Sequence, residues 1–278
     1  MSAPQLRQEA LSLWETNAEL WNSGIGEHGN KYWKRLQEPS LRRLLGPSLS
    51  KPGCAVLELA TGNGLCARWL ADNGAASVIA TDGTFNMLKQ AKTHLDADRA
   101  GKISFQKLDV TDANDFVPLV EKAAEIGGFD VVLMNMAIMD VATLDPLADA
   151  LPKLLGKDGV FVATLLHPTF YTAPHSRNLD IKFNRSGDQE IVLSKVIHEY
   201  LNVEPCKGVF IVGQETPQFY FHRPVHELFG VFFKRGLVMD ALEEPSFTQE
   251  DVVPERLYAT ANFTQFPALM SFRFKKSY

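Results

Sequence analysis

Cysteine is scarce in this chain, with three among 278 residues, at positions 54, 66 and 206. An odd number, at spacings that match no metal knuckle, argues against both a disulfide framework and a structural zinc site. The three read as buried free thiols in a reducing compartment. There is also no run of about 18 apolar residues, the length a membrane-crossing helix requires. Residues 1–10 are polar and lack the apolar centre of a signal peptide, so the expectation is a cytoplasmic protein with no membrane partner. Basic charge is in deficit: 28 Lys and Arg against 33 Asp and Glu leave a formal net charge of −5. That balance argues against a general affinity for nucleic acid, whose binders carry excess Lys and Arg. No repeat, low-complexity tract or Gly/Ser- or Pro-rich linker divides the chain. What remains is an ordinary globular composition, 45% hydrophobic and 22% charged, long enough to bury a substantial core.

The apolar pattern begins helically. Leu6, Leu11, Leu13 and Trp14 lead to Trp21, and a break follows at Gly24 and Gly26. A second helical pattern runs over 30–45, and Gly46-Pro47 is expected to stop it. From residue 54 strands and helices alternate. Strands are expected at 55–59, 77–81, 103–108, 131–135 and 159–165. Helices are expected at 65–73, 85–95, 115–125 and 147–155. Strict alternation predicts a parallel sheet with helices on both faces and a ligand crevice at the carboxyl ends of its strands. After Leu166 the rhythm breaks. Residues 167–223 are polar and aromatic without a clear period, which suits a substrate lid. A helix at 225–234 and strands at 237–242 and 268–274 follow. Two strands in succession predict a terminal hairpin, hence one antiparallel strand.

The stretch Val56-Leu57-Glu58-Leu59-Ala60-Thr61-Gly62-Asn63-Gly64 reads as a strand meeting a glycine turn that opens a helix. Without side chains, Gly62 and Gly64 let a ligand approach the backbone. Gly62-x-Gly64-x-x-Ala67 with Asp82 beyond it also fits a dinucleotide fingerprint, which alone is weak. Other strand ends narrow the choice. Asp82 is placed to take both ribose hydroxyls, Asp109 to accept from an adenine amine with Val110 packed on the ring, and Asn135 to reach the crevice floor. Each lone Asp has the plainer alternative of a cap or turn residue.

Taken together, Glu58–Gly64, Ile79-Ala80-Thr81-Asp82-Gly83, Leu108-Asp109-Val110 and Phe129–Ala137 resemble the class I S-adenosylmethionine-dependent methyltransferases, in their small-molecule branch. Leu154–Phe161, Phe221-His222-Arg223-Pro224, Gly236 and Glu243-Glu244-Pro245 extend the resemblance to roughly residues 14–275. It implies a Rossmann-like seven-stranded sheet, mostly parallel with an antiparallel last strand. It also implies S-adenosyl-L-methionine as cofactor and S-adenosyl-L-homocysteine as product. Glu58, Ala60, Gly62, Gly64, Asp82, Gly83, Met87, Asp109, Val110, Asn135 and Met136 are the implied cofactor residues. Thr61 stands where the family often has Cys or Ser. The domain expectation is a single unit: a helical lid at 1–46, the cofactor core at 52–166, a lid insertion at 167–223 and a C-terminal helix and hairpin at 224–278.

The acceptor is less legible. Asn135-Met136-Ala137-Ile138 is not the Asn-Pro-Pro-Tyr type that grips planar amides, and no acidic triad with metal-ligand spacing is present. A small, largely apolar organic acceptor remains, methylated on oxygen or nitrogen, in natural-product metabolism. Trp21, Tyr32, Tyr171, Tyr200 and His222 are its candidate pocket residues. His167, just past the fifth strand, is the first candidate for a general base, with His222, His198 and Tyr200 behind it. Two other readings stay open: the same pocket performing pericyclic or cyclisation chemistry, and, on the glycine spacing alone, a nicotinamide oxidoreductase.

Overall fold

The structure, a computed structural model, describes residues 3–277. Met1 and Ser2, at the start of the expected helical lid, lie outside them, as does Tyr278. The core is a seven-stranded sheet. Its strands are β1 (Ala55–Leu59), β2 (Ser77–Asp82), β3 (Ile103–Lys107), β4 (Phe129–Asn135), β5 (Leu155–Leu166), and, numbered after two small hairpins, β10 (Leu237–Glu243) and β11 (Leu269–Lys276). The order across the sheet is β3-β2-β1-β4-β5-β11-β10. Pairing is parallel from β3 to β5, and β11 runs antiparallel to both of its neighbours. The expected antiparallel strand is therefore present. The central strands read as apolar runs because helices cover both faces, and Val131 to Met134 are wholly enclosed.

Helices α1 (Ala3–Ile25), α2 (Glu38–Leu49), α3 (Leu65–Asp72), α4 (Phe85–Thr93), α5 (Ala97–Ala100), α6 (Val117–Ile126), α7 (Asp145–Leu154) and α8 (Val225–Phe233) surround the sheet. None among the described residues is long and apolar enough to cross a membrane. Gly46-Pro47 does not stop α2, which runs on to Leu49. The proline ring holds a helical φ, and the last turn is drawn in by burial of Ser48 and Leu49. Ser50 then closes the helix, its N–H and hydroxyl both donating to the Gly46 carbonyl at 3.1 and 2.8 Å.

The insertion is more regular than its sequence suggests. It carries a hairpin of β6 (His175–Phe183) and β7 (Gln189–Ile197), and a short one of β8 (Cys206–Gly208) and β9 (Gln218–Tyr220). Cys54 and Cys66 are buried free thiols as expected; Cys206, on the short β8, is exposed instead.

Beyond the crevice, Phe161 of β5, Phe229 and Phe232 of α8, and Phe272 and Phe274 of β11 pack together in tilted and edge-to-face pairs. Centroid distances are 5.1 Å for Phe229–Phe272, 5.2 Å for Phe232–Phe274 and 5.4 Å for Phe161–Phe232. This cluster fixes the antiparallel edge against the parallel sheet. Phe272→Ala should cost about 3–5 kcal/mol, because neighbours in a close-packed cluster relax only partly into the cavity. Urea unfolding of the two proteins measures it; a loss under about 1 kcal/mol would mean the cluster is not a determinant of stability.

Candidate active site

At the carboxyl ends of the strands lies a cavity of about 640 Å³, within the roughly 300–1,000 Å³ span of small-ligand sites. Its floor is the turn between β1 and α3. Gly62 and Gly64 have φ of +58° and +77°, and even Ala60 and Met136 are left-handed at +53° and +55°. A Cβ on Gly62 would meet no protein atom within 4 Å and would project into open space. Gly64 instead faces the protein: a Cβ there would lie 3.1 Å from that of Ala91. Gly64 caps α3 and does not line the cavity.

Two buried acids support this turn. The Glu58 carboxyl accepts from the Thr61 hydroxyl at 2.7 Å, and burial pushes its pKa up to about 8. Asp82, ending β2, accepts from the Gly62 N–H at 2.9 Å through one oxygen. Its other oxygen takes the Thr84 N–H and hydroxyl, each at 2.9 Å. Burial raises Asp82 to about 6 despite those donors. Asp109 accepts from the Thr111 N–H and hydroxyl at 2.9 and 2.6 Å. Glu58, Ala60, Gly62, Asp82, Gly83, Met87, Asp109, Val110, Asn135 and Met136 all line the one cavity. Asn135 is held by Gln37 at 3.0 Å and by Thr164 at 2.5 Å.

Helix α1 forms the roof, and three polar latches hold it there. Arg7 pairs with Asp109 at 2.6 Å and Asp112 at 2.7 Å. Glu15 accepts the Phe85 and Asn86 N–H groups at 2.7 and 2.8 Å, placing a carboxylate at the positive N-terminus of α4. Asn22 bonds Gln90 and Asn63 at 2.9 and 3.1 Å. Arg7 and Glu15 are absent from the sequence expectations, since a charged residue on a polar helix face carries no local signal of a partner some hundred residues away.

The acceptor side differs more from expectation. Trp21, Tyr32 and Tyr171 line the cavity, but Tyr200, His222 and His167 do not. His167, immediately after β5, is buried, with Nε2 at 2.8 Å from Glu244 and Nδ1 accepting the Thr169 N–H at 3.2 Å. Both ring nitrogens are occupied, so it caps a turn and has no lone pair for a substrate. His222 is likewise held by Thr172 and the Tyr200 carbonyl at 2.8 and 2.7 Å, and the Tyr200 hydroxyl accepts from the Val225 N–H. His198 lies outside, beside Ser176.

The histidine that reaches the cavity is His175, at the start of β6. Its Nδ1 lies 3.0 Å from the Ala173 carbonyl oxygen. An oxygen acceptor requires the hydrogen on Nδ1, which leaves Nε2 with the lone pair and with no bond to any described residue. Burial, with Lys195 and Arg177 nearby, lowers its pKa, so the ring is neutral near pH 7. Arg177, two residues on and so on the same face of the strand, also lines the cavity.

A family model described as a methyltransferase domain matches residues 56–159. Among solved structures the fold is similar to an S-adenosylmethionine-dependent methyltransferase from Mesorhizobium loti, 19% identical, with 90% of this chain and 100% of that one covered and a TM-score of 0.62. It is also similar to one from Listeria monocytogenes (20% identical, 86% and 97% covered, TM-score 0.59). A third is the CcbJ methyltransferase of Streptomyces caelestis (16% identical, 97% and 99% covered, TM-score 0.57). No curated protein matches the chain. Residues 56–159 thus match a methyltransferase domain, and the fold of the chain is the one seen in S-adenosylmethionine-dependent methyltransferases. The residues present fit the family's cofactor, S-adenosylmethionine: the side-chain-free wall at Gly62 leaves room for its amino-acid portion, and Asp82 and Asp109 offer acceptors at the next two strand ends.

Asp82 yields a pH test. Ribose hydroxyls donate to an ionised carboxylate, whereas protonation near 6 removes that acceptor. Affinity for S-adenosylhomocysteine, measured by calorimetry, should therefore fall roughly tenfold from about pH 7 to about pH 5. Asp82→Asn should be weaker at about pH 7 and flat across that range. An equally steep fall in the variant would remove Asp82 from the ribose.

Proposed function

We propose that this chain methylates an oxygen or nitrogen of a small, largely apolar organic acceptor in natural-product metabolism. The observation that carries this reading is the continuity of one cavity. It runs from Gly62, Asp82 and Asp109 to a second wall of Tyr32, Tyr171, Val209, Phe210 and Tyr220, where His175 presents a free Nε2. In this reading residues 1–46 and 167–223 enclose the acceptor over the 52–166 core, and 224–278 complete the sheet.

When bound, S-adenosylmethionine supplies a methyl group made electrophilic by its sulfonium. The chain's own part is to align the acceptor with that methyl and to exclude water, which can lower the barrier by about 7–11 kcal/mol. The roof latches of Arg7, Glu15 and Asn22 and the aromatic wall do this. His175 Nε2 takes the proton that the acceptor atom loses as it bonds to carbon, while the hydrogen on Nδ1 stays with Ala173.

His175→Gln should slow turnover by about 10²-fold, followed as S-adenosylhomocysteine release over a panel of phenols and amines. Cofactor affinity should be unchanged by calorimetry. The acid limb of the wild-type rate profile should lie below about pH 6.5, since burial depresses the imidazole, and should vanish in the variant. Wild-type rates in His175→Gln would sink the base assignment, and the absence of any cofactor binding would sink the methyltransferase reading.

A further inference from the structure

Past β4 the chain makes a short 3-10 turn, Ile138–Asp140, that forms part of the acceptor wall. This turn is rigidly tied. The half-buried Arg223 donates to the Ile138 carbonyl at 3.1 Å and the Val141 carbonyl at 2.7 Å, and the Phe221 N–H donates to the Met139 carbonyl at 2.8 Å. Asp140 sits between these bonds, yet none of them reaches its side chain. It is 7% exposed, and one carboxyl oxygen is wholly buried with no partner. No described residue bonds the other oxygen either. An acid removed from water without a donor is costly, and in a folded protein such a group calls for an explanation.

The surroundings narrow what that explanation is. Glu58, Asp82, Asp109 and Asp140 are the acids of the cavity wall, against Arg7 and Arg177. The first three acids have protein donors, Arg7 is engaged by Asp109 and Asp112, and Arg177 donates to the Tyr258 carbonyl at 2.6 Å. Asp140 is left as the unmatched carboxyl. Beside it stands Tyr220, whose hydroxyl is held well above its usual range by burial and by Asp140, and whose ring meets Phe210 edge to face at 4.1 Å. A carboxyl that shares a cavity wall with aromatic rings favours a cation: the acid supplies the charge, and ring faces can supply cation–π attraction.

We propose that Asp140 anchors a cationic nitrogen of the acceptor, and that the acceptor class is an amphipathic amine: an apolar body carrying one basic nitrogen. The assignment rests on the methyltransferase reading and narrows it. Without such a ligand, burial pushes the carboxyl well above its usual range; an ammonium that donates to it favours the ionised form, as an ion pair. Arg223 acts through the turn as a positioning residue.

The test is calorimetry on the protein loaded with S-adenosylhomocysteine, using three probes of one shape: 2-phenylethylamine, 2-phenylethanol and 3-phenylpropionate. The amine should bind about tenfold or more tighter than the alcohol, the scale of one hydrogen bond to a charged group, and the acid weakest. Asp140→Asn should remove that preference while its affinity for S-adenosylhomocysteine stays as in the wild type. Equal binding of amine and alcohol overturns the proposal, and this wild-type comparison decides even if the variant fails to fold. A preference that survives in a folded Asp140→Asn overturns it too. So does a loss of S-adenosylhomocysteine affinity of about tenfold in the variant, which would assign the carboxyl to the cofactor. A wild-type protein that binds no S-adenosylhomocysteine refutes the methyltransferase reading itself, an outcome distinct from all of these.

Discussion

One buried carboxyl, that of Asp82, joins the parts on which this site depends. It receives the Gly62 N–H from the turn after β1 and the Thr84 N–H and hydroxyl from the start of α4. Two crossovers on neighbouring strands are thereby tied to a single acid. Thr84 in turn caps α4 through the Met87 N–H, and α1 rests on the same junction, with Leu11 where a Cβ on Gly83 would intrude at 2.7 Å. Floor, roof and cofactor edge thus share one point of reference. Burial raises the acid because three donors do not replace full hydration.

The far wall is built on a different principle. The strand ends near Asp82 are fixed by the sheet, but the acceptor wall hangs on side chains that pin backbone carbonyls. Arg223 grips the turn after β4, and His222 and Tyr200 brace the loop that enters α8. These groups are polar and half-buried, and they hold irregular backbone where no ladder does. His167 and His222, expected to do chemistry there, have both ring nitrogens engaged by the protein and do not line the cavity.

That contrast explains what the sequence disclosed. The alternation of strands and helices over 55–166 made the parallel sheet and Glu58, Gly62, Asp82 and Asp109 legible, because periodicity and glycine punctuation are local. The β6–β7 hairpin was missed although Leu179, Ile181 and Phe183 alternate, because charged residues interleave them and the apolar set is not buried. His175 and Asp140 carry no signature at all. One depends on which ring nitrogen finds the Ala173 carbonyl, the other on the absence of any donor nearby, and neither relation is written in spacing.

The same hairpin sets a rule for how this protein can vary. His175 and Arg177 face the cavity from alternate positions, and their face continues outward as Leu179, Ile181 and Phe183, the last two 59% and 70% exposed. Leu179 pairs with Leu193 and Ile181 with Ile191, so the outer arm is a ribbon with little tertiary cover. Lengthening or shortening it at the tip leaves the cavity untouched. Inserting one residue at its root, between Ala173 and His175, turns the imidazole and guanidinium outward and brings their neighbours in; inserting two restores them. Change at the tip is therefore continuous and cheap, while change at the root is allowed only by parity.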